Sequence, residues 1–101
     1  MCGQHQRKRE LERPPFADRE DATEVLRVWA ARKTGQQLTL RTHWNEPGAW
    51  GLLLVDVARH VARAYQREGH DGDAVLQRIR QAFDAEWSRP TSDVDDVTDE
   101  V

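Results

Sequence analysis

Gln37-Leu-Thr-Leu-Arg-Thr-His-Trp-Asn-Glu-Pro-Gly-Ala-Trp50 decides the fold, because its hydrophobic period changes partway along. From Gln37 to Trp44 the residues alternate, with Leu38, Leu40, Thr42 and Trp44 on one face and Thr39, Arg41 and His43 on the other. A period of two, rich in β-branched and aromatic residues, predicts a strand. Asn45-Glu46-Pro47 then announces a helix. Asn45 is placed to cap the free amides, and Pro47 suits a first turn, where its missing N–H costs nothing.

Upstream, Glu24–Ala30 also alternates. Leu26, Val28 and Ala30 share one face, and Val25, Arg27 and Trp29 share the other. Between the two runs lies Arg32-Lys33-Thr34-Gly35, where Gly35 can supply the positive φ of a hairpin loop. Downstream, Trp50, Leu53, Leu54, Val57, Ala58, Val61, Ala64 and Tyr65 recur at helical spacing, opposite Asp56, Arg59, His60, Arg63 and Arg67. That pattern predicts an amphipathic helix of about six turns, ended by Gly69 as a C-terminal cap. Gly51 is out of place inside it, since an interior glycine costs about 1 kcal/mol. A second helix is expected from an Asp73 cap through Val75, Leu76, Ile79, Ala82, Phe83 and Trp87, with Pro90 as its stop. The short loop at His70-Asp71-Gly72 makes the two helices antiparallel neighbours.

The fold class is therefore α+β: a β-hairpin followed by two antiparallel α-helices, in the order β-β-α-α. Residues 22–89 form the single domain. Residues 1–21, charged and carrying Pro14-Pro15, read as a disordered arm with Phe16 as its candidate anchor. Residues 90–101, with Asp93, Asp95, Asp96, Asp99 and Glu100, read as a disordered acidic tail.

Composition narrows the function classes. The 101 residues carry a formal net charge of −3, which does not suit a protein whose main task is gripping phosphate, so nucleic acid is not the expected partner. The apolar run Gly51–Val55 is far too short for a membrane span. Cys2 is the single cysteine, so no internal disulfide can form, and a cytoplasmic location is the simplest expectation. A domain of about 65 ordered residues with neither disulfide nor evident metal buries only about 60% of its unfolded surface. A two-stranded sheet also leaves edges open. A homodimer, pairing hairpins edge to edge or helix against helix, is the expected remedy. The competing reading is a monomer whose arm covers the surplus surface.

No constellation announces catalysis, and no cofactor is expected. Met1-Cys2-Gly3 imitates an N-terminal nucleophile, but a run of Gln, His, Arg and Lys follows where such enzymes carry a buried apolar strand. Asp56 and His60 share a helix face, and with His43 they offer only the beginning of a metal set. Arg59, Arg63 and Arg67 form a stripe that reads as a solvated face answered by Asp56 and Glu68. His70-Asp71-Gly72-Asp73 lacks the alternating carboxylates of a calcium loop. Trp44, Trp50 and Trp87 fall at in-facing positions and read as core. Val25, Arg27 and Trp29 are the candidate interface, because aromatics are enriched at interface centres; the alternative packs Trp29 under the helices and turns Leu26 to the partner. If a small ligand binds at all, the candidate site is His43, Asn45 and Glu46 with Asp56 and His60, at a helix start disposed toward anions.

Thr23–Trp29, Leu40–Trp44, Pro47–Tyr65 and Phe83-Asp-Ala-Glu-Trp87 together resemble a small bacterial family classed only as a domain of unknown function. The resemblance spans most of the middle of the chain and neither end. It implies a stand-alone cytoplasmic protein of about one domain, and it carries over no activity, cofactor or catalytic residue. Two functions compete: a non-catalytic homodimeric interaction module, and a small-anion binder or minor enzyme at the start of the first helix.

Overall fold

Both strands form where the alternation is strongest. In a computed structural model of the protein, residues 9–91 and the pair Asp95–Asp96 are described. Strand β1 (Leu26–Ala31) pairs antiparallel with β2 (Gly35–Leu40). The register sets Leu26 against Leu40, Val28 against Leu38 and Trp29 against Gln37, so one face of the hairpin is aliphatic and the other mixes Arg27, Thr39 and Trp29. Three residues close the loop, and Gly35 adopts φ 91° as it enters β2, the left-handed conformation that such a turn requires.

The second strand stops four residues short of its expected end at Trp44. At Thr42–Trp44 the Trp44 N–H donates to the Thr42 carbonyl across His43, which is forced to φ 58°. An i to i+2 bond centred on a left-handed residue is a strained γ-turn, costing on the order of 1–3 kcal/mol. The Trp50 indole N–H donates to the same carbonyl at 3.1 Å, and the Trp44 and Trp50 rings meet edge-to-face at 5.4 Å. These contacts tie the hairpin to the helices.

Helix α1 spans Gly48–Arg67 and α2 spans Gly72–Ser88. Asn45 is not the cap of α1: the Glu46 carboxylate accepts from the Gly48 N–H at 2.9 Å instead. At the other end Gly69, at φ 104°, donates to Gln66 O, and His70 N–H donates to Tyr65 O. This pair of bonds is a Schellman cap, as the glycine implied. The cap of α2 is Asp71 rather than Asp73: its carboxylate accepts from the Asp73 and Ala74 amides at 3.0 and 3.3 Å, leaving Asp73 in the first turn. The two helices pack on each other along a seam marked by Ala58, Ala62, Val75, Leu76 and Ile79.

Around these elements lie pieces that period alone did not reveal. Pro15–Asp18 form one turn of 3-10 helix in the segment expected to be a featureless arm. Phe16 is 62% exposed there, beside the trough along β1, and its ring lies 4.8 Å from the Arg19 guanidinium. Asp95–Asp96 form a two-residue strand, β3, parallel to Gln37–Leu38, in sheet order β1-β2-β3. Cys2 and the rest of the acidic tail lie outside the described residues.

Candidate functional site

The dominant surface feature is apolar area without a covering layer. Among the described residues Ala62 is the one buried side chain, 6% exposed. No residue of either strand comes within 8 Å, Cα to Cα, of a residue of either helix. On α1 the seam with α2 uses the side bearing Ala58 and Ala62. The neighbouring row of Leu54, Val57, Val61 and Tyr65 stays open to water, with Val57 44% exposed. On the hairpin, Val28 and Trp29 are half exposed, one on each face. Trp87, expected in the core, is 77% exposed and stacks only on Phe83, at 5.6 Å.

The candidate interface residues sit on β1. Arg27 is clamped by Glu24 at 3.1 Å and by Glu10 at 3.3 Å, and these carboxylates, Glu24 foremost, raise its already high pKa further. Arg27 and Trp29 line an open trough of about 1240 Å³ between β1 and the segment bearing Leu11, Pro14 and Phe16. Val25 lies beyond it, and its carbonyl accepts from the Arg41 N–H.

The candidate ligand residues do not converge. His43 is spent on the turn, with its ring edge-on to Trp44. Glu46 is spent on the cap. Asp56 and His60 lie on the exposed side of α1, and no hydrogen bond or ion pair joins them. Asn45 is exposed beside Glu46. The hollow of about 160 Å³ at the helix crossing is lined by Arg59, Arg63, Gln66 and Asp73 and by none of these five. No group of three or more His, Cys, Asp or Glu that could hold a metal occurs among the described residues. The arginine stripe is not answered by Asp56 and Glu68 as expected: among the described residues, Arg59, Arg63 and Arg67 join neither of them in an ion pair. Among the described residues no helix is long and apolar enough to cross a membrane.

A β-hairpin followed by a helix pair, with half-exposed apolar residues on both, defines a small α+β chain of β-β-α-α order. Residues 10–91 match the family described as Domain of unknown function (DUF5076), and the chain belongs to that family. It is similar to a solved structure described as "a putative pyruvate dehydrogenase from the photosynthetic bacterium Rhodopseudomonas palustrus CGA009". That similarity has 43% sequence identity and a TM-score of 0.68, and covers 87% of this chain and 91% of the other. No curated protein matches.

Proposed function

We propose that the chain is a non-catalytic homodimeric protein-interaction module of the bacterial cytoplasm. The observation that carries this reading is the open row Leu54, Val57, Val61 and Tyr65, together with the half-exposed hairpin. A formal net charge of −3 and the absence of stacking aromatics beside the arginine stripe weigh against nucleic acid as the partner. The activity in the neighbour's description is not proposed for this chain, because the described side chains assemble no set of acid, base or nucleophile.

Sedimentation equilibrium and light scattering test the reading. The expected mass is twice the 11.7 kDa of the chain, with a melting temperature that rises with protein concentration. A single 11.7 kDa species that unfolds cooperatively at a concentration-independent temperature overturns it.

A second reading, a small-anion site at His43, Asn45, Glu46, Asp56 and His60, has one observation in its favour: His43 is strained, and strained residues concentrate at functional sites. Against it, the Gly48 N–H that an anion would seek is already held by Glu46. Titration with inorganic phosphate, followed by amide shifts at His43 and Gly48, decides it. Saturable shifts support the site, and none at millimolar phosphate dismisses it.

A further inference from the structure

The proposed dimer leaves open which surface covers which, and the geometry points to a reciprocal exchange. We propose that the hairpin of each chain lays its aliphatic face, Leu26, Val28, Leu38 and Leu40, on the open α1 row of a second copy. This rests on the dimer reading above and adds its architecture.

Four observations support it. The first is chemical match: the hairpin face and the row Leu54, Val57 and Val61 are both uncharged and both half open. The second is length. Six strand residues extend about 17–20 Å, and the open α1 row from Leu54 to Tyr65 runs about 17 Å. The third is separation, since no strand residue approaches within 8 Å of the chain's own helices. The link 41–47 joins the two without bringing them to that distance. The fourth is the character of that link. His43 at φ 58° and the doubly engaged Thr42 carbonyl form a short, strained connection. Strain in a short hinge favours exchange of an element between copies over closure within one chain. Edge-to-edge pairing of β1 is the weaker arrangement, because it crowds Arg27 against its own image and leaves the α1 row uncovered.

Crosslinking between separately made chains tests the exchange. In a Cys2→Ser background, one chain carries Val28→Cys and a differently tagged chain carries Val57→Cys. The two are mixed, refolded together and oxidised. A seated pair brings Cβ atoms within about 4.5 Å, so the mixed disulfide should exceed either self-disulfide by roughly tenfold or more, as for thiols at millimolar effective concentration. A dominant Val28→Cys self-crosslink means hairpin meets hairpin, and a dominant Val57→Cys self-crosslink means helix meets helix. Either result overturns the exchange while leaving the dimer standing, and so does a light-scattering dimer that forms no crosslink with this pair or with Leu38→Cys and Val61→Cys. In a chain carrying both Val28→Cys and Val57→Cys, an intrachain bond that leaves an 11.7 kDa monomer overturns exchange and dimer together.

Discussion

The helix pair and the hairpin face the same problem and solve it to different degrees. Each has an aliphatic face that must leave water. The helices partly satisfy theirs by packing on one another, and Ala62 is closed off in the seam. No strand residue lies within 8 Å, Cα to Cα, of either helix, and the link residues Thr42 and Trp44 meet Trp50 of α1. Secondary structure in this chain is therefore local and well capped, while its core remains half built.

The sharpest way to break this comparison is a charge on the open α1 row. At a half-exposed site in a lone chain, Val57→Asp should cost under about 1 kcal/mol. In a dimer that buries the row, an unpaired carboxylate costs about 3 kcal/mol or more and separates the copies. The expected outcome is loss of the dimer mass and of cooperative melting, read by light scattering and circular dichroism. A Val57→Asp chain that keeps both leaves the helix pair sufficient by itself.

A smaller effect is expected at the tie between the two regions. Trp50→Phe keeps the ring against Trp44 but removes the N–H that reaches the Thr42 carbonyl. Losing one such hydrogen bond costs about 1 kcal/mol, or roughly 4–8 °C in melting temperature for a domain of this size. An unchanged melting temperature would mean that this bond does not hold the hairpin in place. Smaller again, and opposite in sign, is Gly51→Ala. A methyl group at Gly51 meets nothing within 4 Å, so the glycine is not there for a close approach within the chain. Helix propensity then predicts a gain of about 0.5–1 kcal/mol. A loss instead would place Gly51 against the second copy.

What the sequence revealed follows the range of the forces involved. Gly35 and Gly69 were legible because a left-handed residue at a turn or cap is a local demand that glycine meets best. The amphipathic stripes of both helices were legible for the same reason. Capping by Glu46 and Asp71 was missed, at Asn45 and Asp73, because two acceptors within two residues compete on geometry that spacing does not resolve. The end of β2 was missed because alternation continues through Trp44 while the chain turns at His43. That turn is fixed by Trp50, six residues beyond Trp44, reaching back to Thr42. Trp87 sits on the apolar stripe of α2 as read, yet it stays in water, since facing inward on one helix does not guarantee a layer to face. The candidate interface on β1 was read from apolar residues on both faces of the strand, where Val28 and Trp29 are half exposed. The clamp of Arg27 by Glu10 was not, because residues 17 apart meet only once the arm is placed.

The smallest expected effect separates the arm from both regions. The Arg19 guanidinium donates to both Asp21 oxygens, at 3.0 and 2.8 Å, and holds that carboxyl below its ordinary value. A carboxyl depressed in the folded state stabilises above its unfolded pKa, near 3.9, and that contribution fades as pH falls through the lower folded value. Both side chains are largely in water, where such pairs contribute little and salt screens them. The expected result of Arg19→Gln is therefore a rise of the Asp21 midpoint toward the ordinary range, read by carboxyl-carbon NMR titration. The melting temperature at neutral pH should not change. If it falls measurably, the arm shares in the fold, and the contrast between helix pair and hairpin must include the segment that leads into β1. If the midpoint stays put, the Arg19–Asp21 clip is absent in solution and the arm meets the hairpin only through Glu10 and Arg27.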